Sequence, residues 1–578
     1  MFCSQRIMLP MWQITRKTGA KTLPAVRLST RAFPNTVGVR SLCTSPAFRN
    51  IVKSDVADQE QPTGNLVNTV FENVTKWGSK TAVECSVTGR NYTYNQLLDY
   101  ISKWAGFLIN LGMQKGDVMA IYMPNCPEYP IALLGAISIG IIPTPINPKY
   151  TAEEFVKQVS DSKAQVLVGD PGVETAIIEG INRYKKPLHI VMNGPTKVPG
   201  ALNMLDILSD ATIPHADTVQ VKNEDIVMLP YSSGTTGPPK GVVLSHGAFS
   251  INIHMCMHNY FCLTEEATDS SQEAYVGLLP FYHVSGVLCQ MMAGFYKGAK
   301  VVTMAQMEPN NFVDTISNHK VGILHLVPPL INFVLHSPLA TAEKLASVRV
   351  IPVGAAPVYP SAVEALRQKL KRNVFFQELY GMTEILIASM VPADQEKIGT
   401  SGKLLPNVTA KIIDTATGDL LPSSSTGEIC LKSPATMTGY FNNDEATSAT
   451  VDKDGWVHTG DVGFFDEEGY MKIVDRTKEL IKVKGLQVSP SELEEILRQH
   501  PQVLDVGVVG IPHERSGEVP RAYVVTKSKI SADDIHSFLD NRVAPHKKLS
   551  GGVVFVDELP KTNTGKILRK DLKKMAMG

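Results

Sequence analysis

The eleven-residue stretch from Tyr231 to Gly241 reads YSSGTTGPPKG, and it follows an apolar run that ends at Leu229. Its three glycines let the backbone approach a ligand closely and adopt positive φ. Its hydroxyls, its backbone N–H groups and the charge of Lys240 can surround phosphate oxygens. The stretch therefore predicts a phosphate-binding loop, with the candidate residues Ser232, Ser233, Gly234, Thr235, Thr236, Gly237 and Lys240.

On both sides of this loop, short β-branched runs alternate with helical patterns. The runs include Val118–Tyr122, Asp225–Leu229 and Val348–Val353, and the helical patterns include Ala152–Asp161 and Pro360–Lys371. A repeated order of strand and helix predicts α/β architecture with mostly parallel sheets.

Toward the C-terminus the strands follow one another more closely. Ala410–Asp414, Gly427–Leu431 and Tyr470–Val474 are separated by turns rich in Gly and Asp, which indicates a smaller β-rich subdomain. A compact module with helices and strands follows. We expect a large N-terminal domain over residues 55–475 and a small C-terminal domain over residues 476–578.

The basic residues are distributed unevenly along the chain. Residues 1–54 hold nine of the 56 lysines and arginines and no acidic residue. An Arg-rich, acid-free leader with Ser and Thr is typical of a mitochondrial transit peptide, which we predict over residues 1–50, with the matrix as the destination. A disordered basic tail is the alternative.

Composition argues against several other classes of protein. The 56 basic residues equal the 56 acidic ones, which disfavours a nucleic-acid-binding protein. The eight cysteines include no CxxC pair, which disfavours a disulfide scaffold or a zinc ribbon. The apolar run Ile131–Ile142 is too short to span a membrane and predicts a buried core helix.

Five segments occur in the order typical of the adenylate-forming superfamily, and the chain resembles that superfamily over about residues 60–575. Its members include acyl-CoA synthetases, 4-coumarate–CoA ligases, firefly luciferase and nonribosomal adenylation domains. Beside the loop, the segments are YGMTE (Tyr380–Glu384), TGD (Thr459–Asp461), DRTKELIKVKG (475–485) and PKTNTGKILR (Pro560–Arg569). KLLPN (Lys403–Asn407) and ELIKVKGLQVSPSELE (Glu479–Glu494) are most similar to the coumarate-ligase and luciferase branch.

The resemblance implies both a fold and a reaction. The fold has two stacked α/β subdomains and a β-barrel-like subdomain in the large domain, with a small mobile α+β domain after them. The reaction joins a carboxylic acid to AMP, releases pyrophosphate and passes the acyl group to coenzyme A, with ATP and Mg²⁺ as the other requirements. A carboxylic acid of pKa ~4–5 is already ionised at neutral pH, so no general base is needed. Positive charge in a site that excludes water is needed instead.

The resemblance assigns that charge to Lys566, which would contact both the carboxylate and the α-phosphate. Glu384 would hold Mg²⁺, which takes one or two protein carboxylates together with phosphate oxygens, and Thr383 would offer its hydroxyl to the α-phosphate. Asp461 would accept hydrogen bonds from the two ribose hydroxyls. The other implied nucleotide-binding residues are Tyr380, whose ring would face adenine, Gly381, Arg476, Gly354, Ala355 and Ala356.

The thioester-forming step implies a second use of the C-terminal domain. In the family this domain rotates after adenylation, and Lys478 occupies the position of the hinge residue. Lys482, Gly485 and Gln487 match positions that face the site in the rotated state.

The acyl pocket departs from the coumarate ligases. His283 matches an aromatic or histidine gate at this pocket, with Ser285 and Gly286 after it. Ser285 stands where coumarate ligases usually have tyrosine, and Leu379 replaces a glycine. We therefore expect a short- or medium-chain fatty acid or a small aryl acid as substrate.

Other functions remain open at this point. The chain resembles an acyl-CoA ligase most, but an adenylase that loads a carrier protein would share the same motifs. A catalytically inactive protein that binds nucleotide or acyl-CoA, or a fatty-acid transport protein, is also conceivable. Retention of Lys566, Glu384, Asp461 and Lys240 favours an enzyme. The sequence leaves the oligomeric state undetermined.

Overall fold

The computed structural model describes residues 50–184, 186–232, 239–354, 358, 360–484, 486–540, 542–562 and 565–577. Some predictions fall outside these ranges: the transit peptide over residues 1–49, the loop residues Ser233, Gly234, Thr235, Thr236 and Gly237, and Ala355, Ala356 and Gly485.

Both domains contain helices. In the N-terminal domain they are α1 Leu66–Val70, α2 Tyr94–Asn110, α3 Tyr129–Ser138, α4 Ala152–Ser162, α5 Glu174–Arg183, α6 Met204–Ser209, α7 His246–Met257, α8 Ala293–Tyr296, α9 Pro309–Asn318, α10 Pro328–His336, α11 Pro360–Leu370 and α12 Asp444–Thr450. In the C-terminal domain they are α13 Pro490–Arg498, α14 Ala532–Asp540 and α15 Arg569–Met577.

The longest of the described strands lie in the second half of the chain. In the N-terminal domain they are β1 Ile51–Lys53, β2 Thr81–Cys85, β3 Asn91–Thr93, β4 Val118–Tyr122, β5 Ile142–Pro145, β6 Val166–Gly169, β7 His189–Met192, β8 Leu202–Asn203, β9 Ile226–Met228, β10 Tyr231–Ser232, β11 Lys240–Ser245, β12 Ala274–Gly277, β13 Lys300–Thr303, β14 Val350–Val353, β15 Phe375–Met382, β16 Leu386–Met390, β17 Lys403–Leu404, β18 Thr409–Ile413, β19 Leu420–Leu421, β20 Gly427–Lys432, β21 Gly439–Tyr440, β22 Val457–Phe465 and β23 Met471–Arg476. In the C-terminal domain they are β24 Ile481–Val483, β25 Leu486–Val488, β26 Val503–His513, β27 Gly517–Thr526 and β28 Val553–Phe555.

The predicted parallel sheets are confirmed in the first part of the chain. One sheet has the order β5-β4-β6-β7-β8 with parallel pairing throughout. A second, β12-β13-β2-β3, is parallel except for its last pair. In the third, β14-β15-β16-β17, the first pair is parallel and the rest antiparallel. The predicted β-rich region is an antiparallel sheet, β1-β18-β20-β22-β23, with β19 beside β18.

Local sequence explains where these elements begin and end. Helix α4 starts at a capping box in which the Thr151 hydroxyl accepts from the Glu154 N–H and the Glu154 carboxylate accepts from the Thr151 N–H. The prediction of one helix over Ile131–Ile142 is wrong at its end. The helix stops at Ser138, Gly140 adopts φ +74°, and Ile142 begins a strand. Because every residue of α3 is buried, the run shows no helical periodicity that could mark its end.

The C-terminal domain has its own sheet, β25-β24-β27-β26 with β28 beside β27, and its own apolar core. The chain leaves the antiparallel sheet of the larger domain at Arg476 and enters the smaller sheet at Ile481. The predicted limits, 55–475 and 476–578, stay predictions. Within the described residues, no helix is both long and apolar enough to cross a membrane.

Candidate active site

The most completely bonded part of the site is the carboxylate of Asp461. Strands β22 and β23 pair Asp461 directly with Arg476. One carboxylate oxygen lies 3.0 Å from Arg476 Nε, and the other accepts from the Tyr380 hydroxyl at 2.7 Å. Burial and the charge of Asp461 hold the pKa of Tyr380 well above its usual value. Tyr380 is therefore a hydrogen-bond donor to Asp461, a contact beyond the aromatic role that the sequence implied.

The turn that carries Asp461 is itself tightly held. The Asp461 N–H donates to the Thr459 hydroxyl at 3.0 Å, and that hydroxyl donates to the carbonyl of Ile429 at 2.6 Å. The N–H of Gly460 donates to the Glu428 carboxylate at 3.0 Å. Strand β20 thus holds the turn that carries Asp461, the residue predicted to bind ribose.

The two ends of the predicted phosphate loop form a short antiparallel ladder. Ser232 pairs with Lys240, and Tyr231 pairs with Gly241. The Lys240 ammonium lies 4.8 Å from the centroid of the Tyr440 ring. The ladder therefore brings the basic end of the loop back beside its first residues, although the residues between them lie outside the described ranges.

Glu384 and Lys240 meet at one aromatic side chain. Glu384 lies in the turn between β15 and β16, next to Thr383, and it is buried. The Tyr440 hydroxyl donates to its carboxylate at 2.8 Å. Sequence reasoning missed Tyr440, which is 56 residues from Glu384 and belongs to none of the five motifs.

The predicted catalytic lysine lies in a loop of the C-terminal domain. The Lys566 N–H donates to the Thr562 hydroxyl at 3.1 Å, and the Thr562 N–H donates to the Lys566 carbonyl at 2.8 Å. Gly565 adopts φ +81°, and a Cβ there would lie 2.1 Å from Cγ of Pro329. Because Pro329 belongs to α10, the lysine loop is docked tightly on the larger domain.

A cavity of about 460 Å³ lies between the two domains beside this docked loop. Tyr380, Gly381, Asp461, Arg476 and Lys566 all line it. The structure therefore brings together residues that lie far apart in the sequence.

Electrostatics at Lys566 match a site for two anions. Burial lowers the pKa of Lys566 to about 8, and Arg476 acts in the same sense, while Glu479 and Asp461 act in the opposite one. Desolvation raises the free energy of the charged form in the cavity. An anionic ligand between Lys566 and Arg476 would relieve that cost.

Another buried carboxyl group lines the cavity and had no role in the sequence analysis. Glu378 accepts from the Gly399 N–H at 2.7 Å. Burial raises the pKa of Glu378 to about 7. Its position in β15, two residues before Tyr380, could have drawn attention only once the strand was known to border the cavity.

The predicted hinge and thioester residues lie elsewhere. Lys478 is exposed in the connection between the two sheets. Lys482 and Gln487 are direct partners in the β24–β25 hairpin, and both are exposed. The Gln487 amide donates to the Thr415 hydroxyl at 3.3 Å. Among the described residues, those that line the cavity do not include these three.

The predicted acyl-pocket residues divide into two groups. The first group, at the start of a π-helical turn over Gly286–Met292, consists of His283, Ser285 and Gly286. The described residues that line the 460 Å³ cavity include none of these three. Burial lowers the pKa of His283 to about 4, so its ring is neutral at pH 7. Leu379 does line the cavity, and a Cβ on Gly354 would lie 2.8 Å from its Cδ1.

Leu379 also borders a second, apolar cavity of about 50 Å³. Leu288 and Cys289 of the π-helical turn, Tyr275 and His325 form part of its wall. Of the described residues, Leu379 alone lines both cavities. Its side chain therefore lies between the large cavity and a small apolar one.

Comparison with known proteins agrees with this architecture. Residues 70–441 match the AMP-binding enzyme family, and residues 492–566 match the AMP-binding enzyme C-terminal domain. The chain is 35% identical to a 4-coumarate–CoA ligase of Pinus taeda over 514 residues, 87% of this chain and 93% of the relative. It is 34% identical to 4-coumarate–CoA ligase 1 of Petroselinum crispum over 549 residues, 92% and 98% of the two chains.

Solved structures give the same picture. ATP-bound MatB from Rhodopseudomonas palustris superposes with a TM-score of 0.80 at 27% identity, over 88% of this chain and 98% of MatB. The anthranilate CoA ligase AuaEII, solved with anthranoyl-AMP, gives a TM-score of 0.81 at 26% identity, over 89% and 97% of the two chains. The chain thus belongs to the AMP-binding enzymes, in the adenylate-forming superfamily, and there to the acyl-CoA synthetase branch that includes the 4-coumarate–CoA ligases.

Proposed function

We propose that this chain is an ATP-dependent carboxylate–CoA ligase that forms an acyl-adenylate and then an acyl-CoA thioester. The observation that carries the proposal is the cavity where Lys566 of one domain faces Asp461, Arg476 and Tyr380 of the other. Its relatives include enzymes named as CoA ligases of coumarate and anthranilate.

In the first half-reaction the enzyme must bring two anions together. Asp461, already fixed by Arg476 and Tyr380, accepts the two ribose hydroxyls and sets the position of the nucleotide. Lys566 is held where the carboxylate and the α-phosphate meet, and its charge stabilises the negative charge that gathers there. The docked loop of Lys566 covers one side of the cavity and so limits the access of water to the adenylate.

Glu384 fits a magnesium site. It is a buried carboxylate beside Lys240, and Mg²⁺ takes one or two protein carboxylates together with phosphate oxygens. When bound, Mg²⁺ would neutralise phosphate charge. The Tyr440 hydroxyl donates to the Glu384 carboxylate and orients it.

In the second half-reaction the thiol of coenzyme A attacks the acyl carbon, the thioester bond replaces the acyl–oxygen bond to AMP, and AMP and the thiol proton are released. The docked loop of Lys566 fills the side of the cavity that the C-terminal domain provides, so that domain must move before a thiol can enter. The exposed hairpin with Lys482 and Gln487 is the surface that we assign to the second state.

Leu379 supports a small acid as substrate. Its side chain lies between the 460 Å³ cavity and the 50 Å³ apolar cavity. An acyl chain that reaches Leu379 can therefore extend no further without displacing that side chain. We propose a short- or medium-chain fatty acid or a small aryl acid. Leu379→Ala should shift the preferred chain length upward, whereas Leu335→Ala, near the end of α10, should leave it unchanged.

We also propose that the enzyme acts in the mitochondrial matrix. The acid-free, Arg-rich leader over residues 1–50 supports this. The full chain should lose its leader on import into isolated mitochondria, which the mass of the protected product would reveal. A chain that remains uncut and accessible to protease would contradict the proposal.

The experiment that tests the function is pyrophosphate release by the full chain with ATP, Mg²⁺ and single acids from acetate to stearate, benzoate and coumarate. We expect turnover that needs both an acid and coenzyme A. Release without any effect of coenzyme A would favour a carrier-protein acceptor. ATP binding with no release for any acid would favour an inactive binding protein.

A further inference from the structure

A second group of chemically reactive side chains lies outside the cavity, on the antiparallel sheet of the larger domain. Glu428 and Cys430 on β20 and His458 on β22 place one oxygen, one sulfur and one nitrogen within 4.8 Å of one another. His458 Nδ1 lies 3.7 Å from Cys430 Sγ and 3.5 Å from a Glu428 oxygen. The reaction proposed above uses none of the three.

The sheet holds these residues in register. Cys430 and His458 are direct partners across the β20–β22 pair. Glu428 precedes Cys430 by two residues and therefore projects from the same face of its strand. A bulge between Glu428 and Cys430 shifts the register against β22 and sets how the two side chains meet His458. The chain spacing of such a set follows no zinc motif, so the sequence alone did not indicate it.

Two of the three separations in the cluster are close to those of a small tetrahedral metal site, and the third, between Cys430 and Glu428, is within 4.8 Å. Zinc bonds of ~2.3 Å to sulfur, ~2.1 Å to nitrogen and ~2.0 Å to oxygen give sulfur–nitrogen and nitrogen–oxygen edges of ~3.6 and ~3.3 Å. The observed separations are 3.7 and 3.5 Å. Small side-chain adjustments would suffice to place an ion between the three atoms.

The surroundings of His458 support the same interpretation. Asp452 lies 3.7 Å from Nε2, the ring nitrogen that faces away from Cys430. A carboxylate on the far side of a histidine ring is the usual outer partner of a metal ligand, because it orients the ring. Lys411 is 3.7 Å from the same carboxylate and stacks on Trp456, so its charge is partly balanced there.

Charge and access also suit a divalent cation. A carboxylate and a thiolate would balance two positive charges. His458 and Glu428 are partly exposed, at 32% and 17% of their side chains, which gives an ion a path to the buried Cys430. Burial raises the pKa of Cys430 to about 12, so an ion would have to displace the thiol proton.

We propose that Glu428, Cys430 and His458 bind a zinc-class divalent cation, with water as the fourth ligand. The site is coupled to the nucleotide through one carboxylate: a Glu428 oxygen already accepts from the N–H of Gly460, the residue before Asp461. An ion on the other oxygen fixes Glu428 and stabilises the turn that presents Asp461 to ribose. The metal-binding proposal does not rest on the proposed function, because its test measures binding rather than activity.

Cobalt(II) is the probe that identifies the ligands. The full chain, freed of metal with a chelator, is titrated with Co²⁺ and then with Zn²⁺ as competitor. We expect one equivalent with the visible bands of a tetrahedral ion and a thiolate-to-cobalt charge-transfer band, all removed by Zn²⁺. Saturating Zn²⁺ should also raise the thermal unfolding midpoint, because it binds only the folded chain.

Three variants assign the bands. Cys430→Ser should abolish the charge-transfer band, and Glu428→Gln and His458→Gln should weaken Co²⁺ binding at least about tenfold. Cys262→Ser, a thiol near Cys256 and Cys289, is the matched control and should keep every band. Circular dichroism checks that each variant folds. If Cys430→Ser does not fold, the variants at the partly exposed positions Glu428 and His458 still test the proposal.

The competing explanation is that His458 is merely hydrogen-bonded between Glu428 and Cys430. In that case metal-free protein shows no stoichiometric Co²⁺ binding, or the bands persist in Glu428→Gln and His458→Gln. Either result would overturn the proposal.

Discussion

The C-terminal domain carries two predicted functional lysines, Lys566 and Lys482, at separate ends, and the two have different surroundings in the structure. The loop with Lys566 is docked in the cavity, with Gly565 against Pro329 of the larger domain. Lys482, on the β24–β25 hairpin, is exposed. One domain position therefore presents one lysine to the cavity and leaves the other in solvent.

Because one lysine is docked in the cavity and the other is exposed, we infer that the two lysines act in different positions of the C-terminal domain. A rigid domain with functional groups at separate ends can use both at one cavity only by turning. The domain is rigid around its first helix, because the buried Arg569 side chain joins Glu494 at 2.8 Å and Glu479 at 2.5 Å. Rotation about the connection between the two sheets would carry this network as one body.

The largest effect is expected from removing the docked lysine, Lys566. Lys566→Ala should reduce adenylate formation about 10²–10³-fold, the cost typical of removing one group that stabilises transition-state charge. ATP binding should change little, because Asp461 keeps its partners. Acid-dependent exchange of pyrophosphate into ATP measures the first effect, and equilibrium nucleotide binding measures the second.

The control for this variant is Lys570→Ala, an exposed lysine four residues further along. It should leave exchange unchanged. Adenylation that survives in Lys566→Ala would remove the catalytic role that we assign to this lysine.

The second prediction concerns the exposed end. Lys482→Ala should slow thioester formation about 10–100-fold, the range for a lost charged hydrogen bond, and leave adenylation unchanged. Rapid mixing of preformed acyl-adenylate with coenzyme A isolates the step, and Lys529→Ala, another exposed lysine of the same domain, is the control. Equal losses in both half-reactions would argue against two domain positions.

How far the sequence could predict this site depends on the distance over which a contact is made. The sequence predicts strand β4 with its exact bounds, Val118–Tyr122, because a short apolar run with β-branched residues favours a strand. Asp461 and Arg476 were each identified, but their pairing follows from strand register. Tyr440 was missed because no local pattern links it to Glu384. The cluster on β20 and β22 escaped for the same reason, since only the sheet brings its residues together.

The third prediction tests what docks Lys566. Gly565→Ala should lower adenylation by about 5–30-fold, because its Cβ would collide with Pro329 and overpacking of this kind costs roughly 1–2 kcal/mol, the lower part of its usual range. The thioester step from preformed adenylate should be unaffected. Gly565→Ala therefore separates the two ends of the domain without removing a charge.

Gly552→Ala is the matched control for that variant. Gly552 has φ +90°, and nothing lies within 4 Å of the point that an alanine Cβ would occupy, so the variant carries the backbone strain without the collision. It should lower the stability of the C-terminal domain and leave adenylation at saturating substrate intact. A similar loss of adenylation in both variants would show that strain, rather than docking on Pro329, is responsible.

The smallest expected effect is a pH dependence confined to the docked end. Lys566 acts as a cation, and its pKa is about 8 because burial disfavours the charge. Its protonated fraction, and with it kcat/KM for the acid, should therefore fall as pH rises through about 8, by about tenfold for each further pH unit. The thioester step, measured from preformed adenylate, should lack this fall. Lys566→Arg keeps its charge throughout this range and should abolish the fall even if its rate is lower. A flat profile for the unmodified enzyme, or the same fall in Lys566→Arg, would mean that another group titrates and that burial of the lysine does not set the pH limit of adenylation.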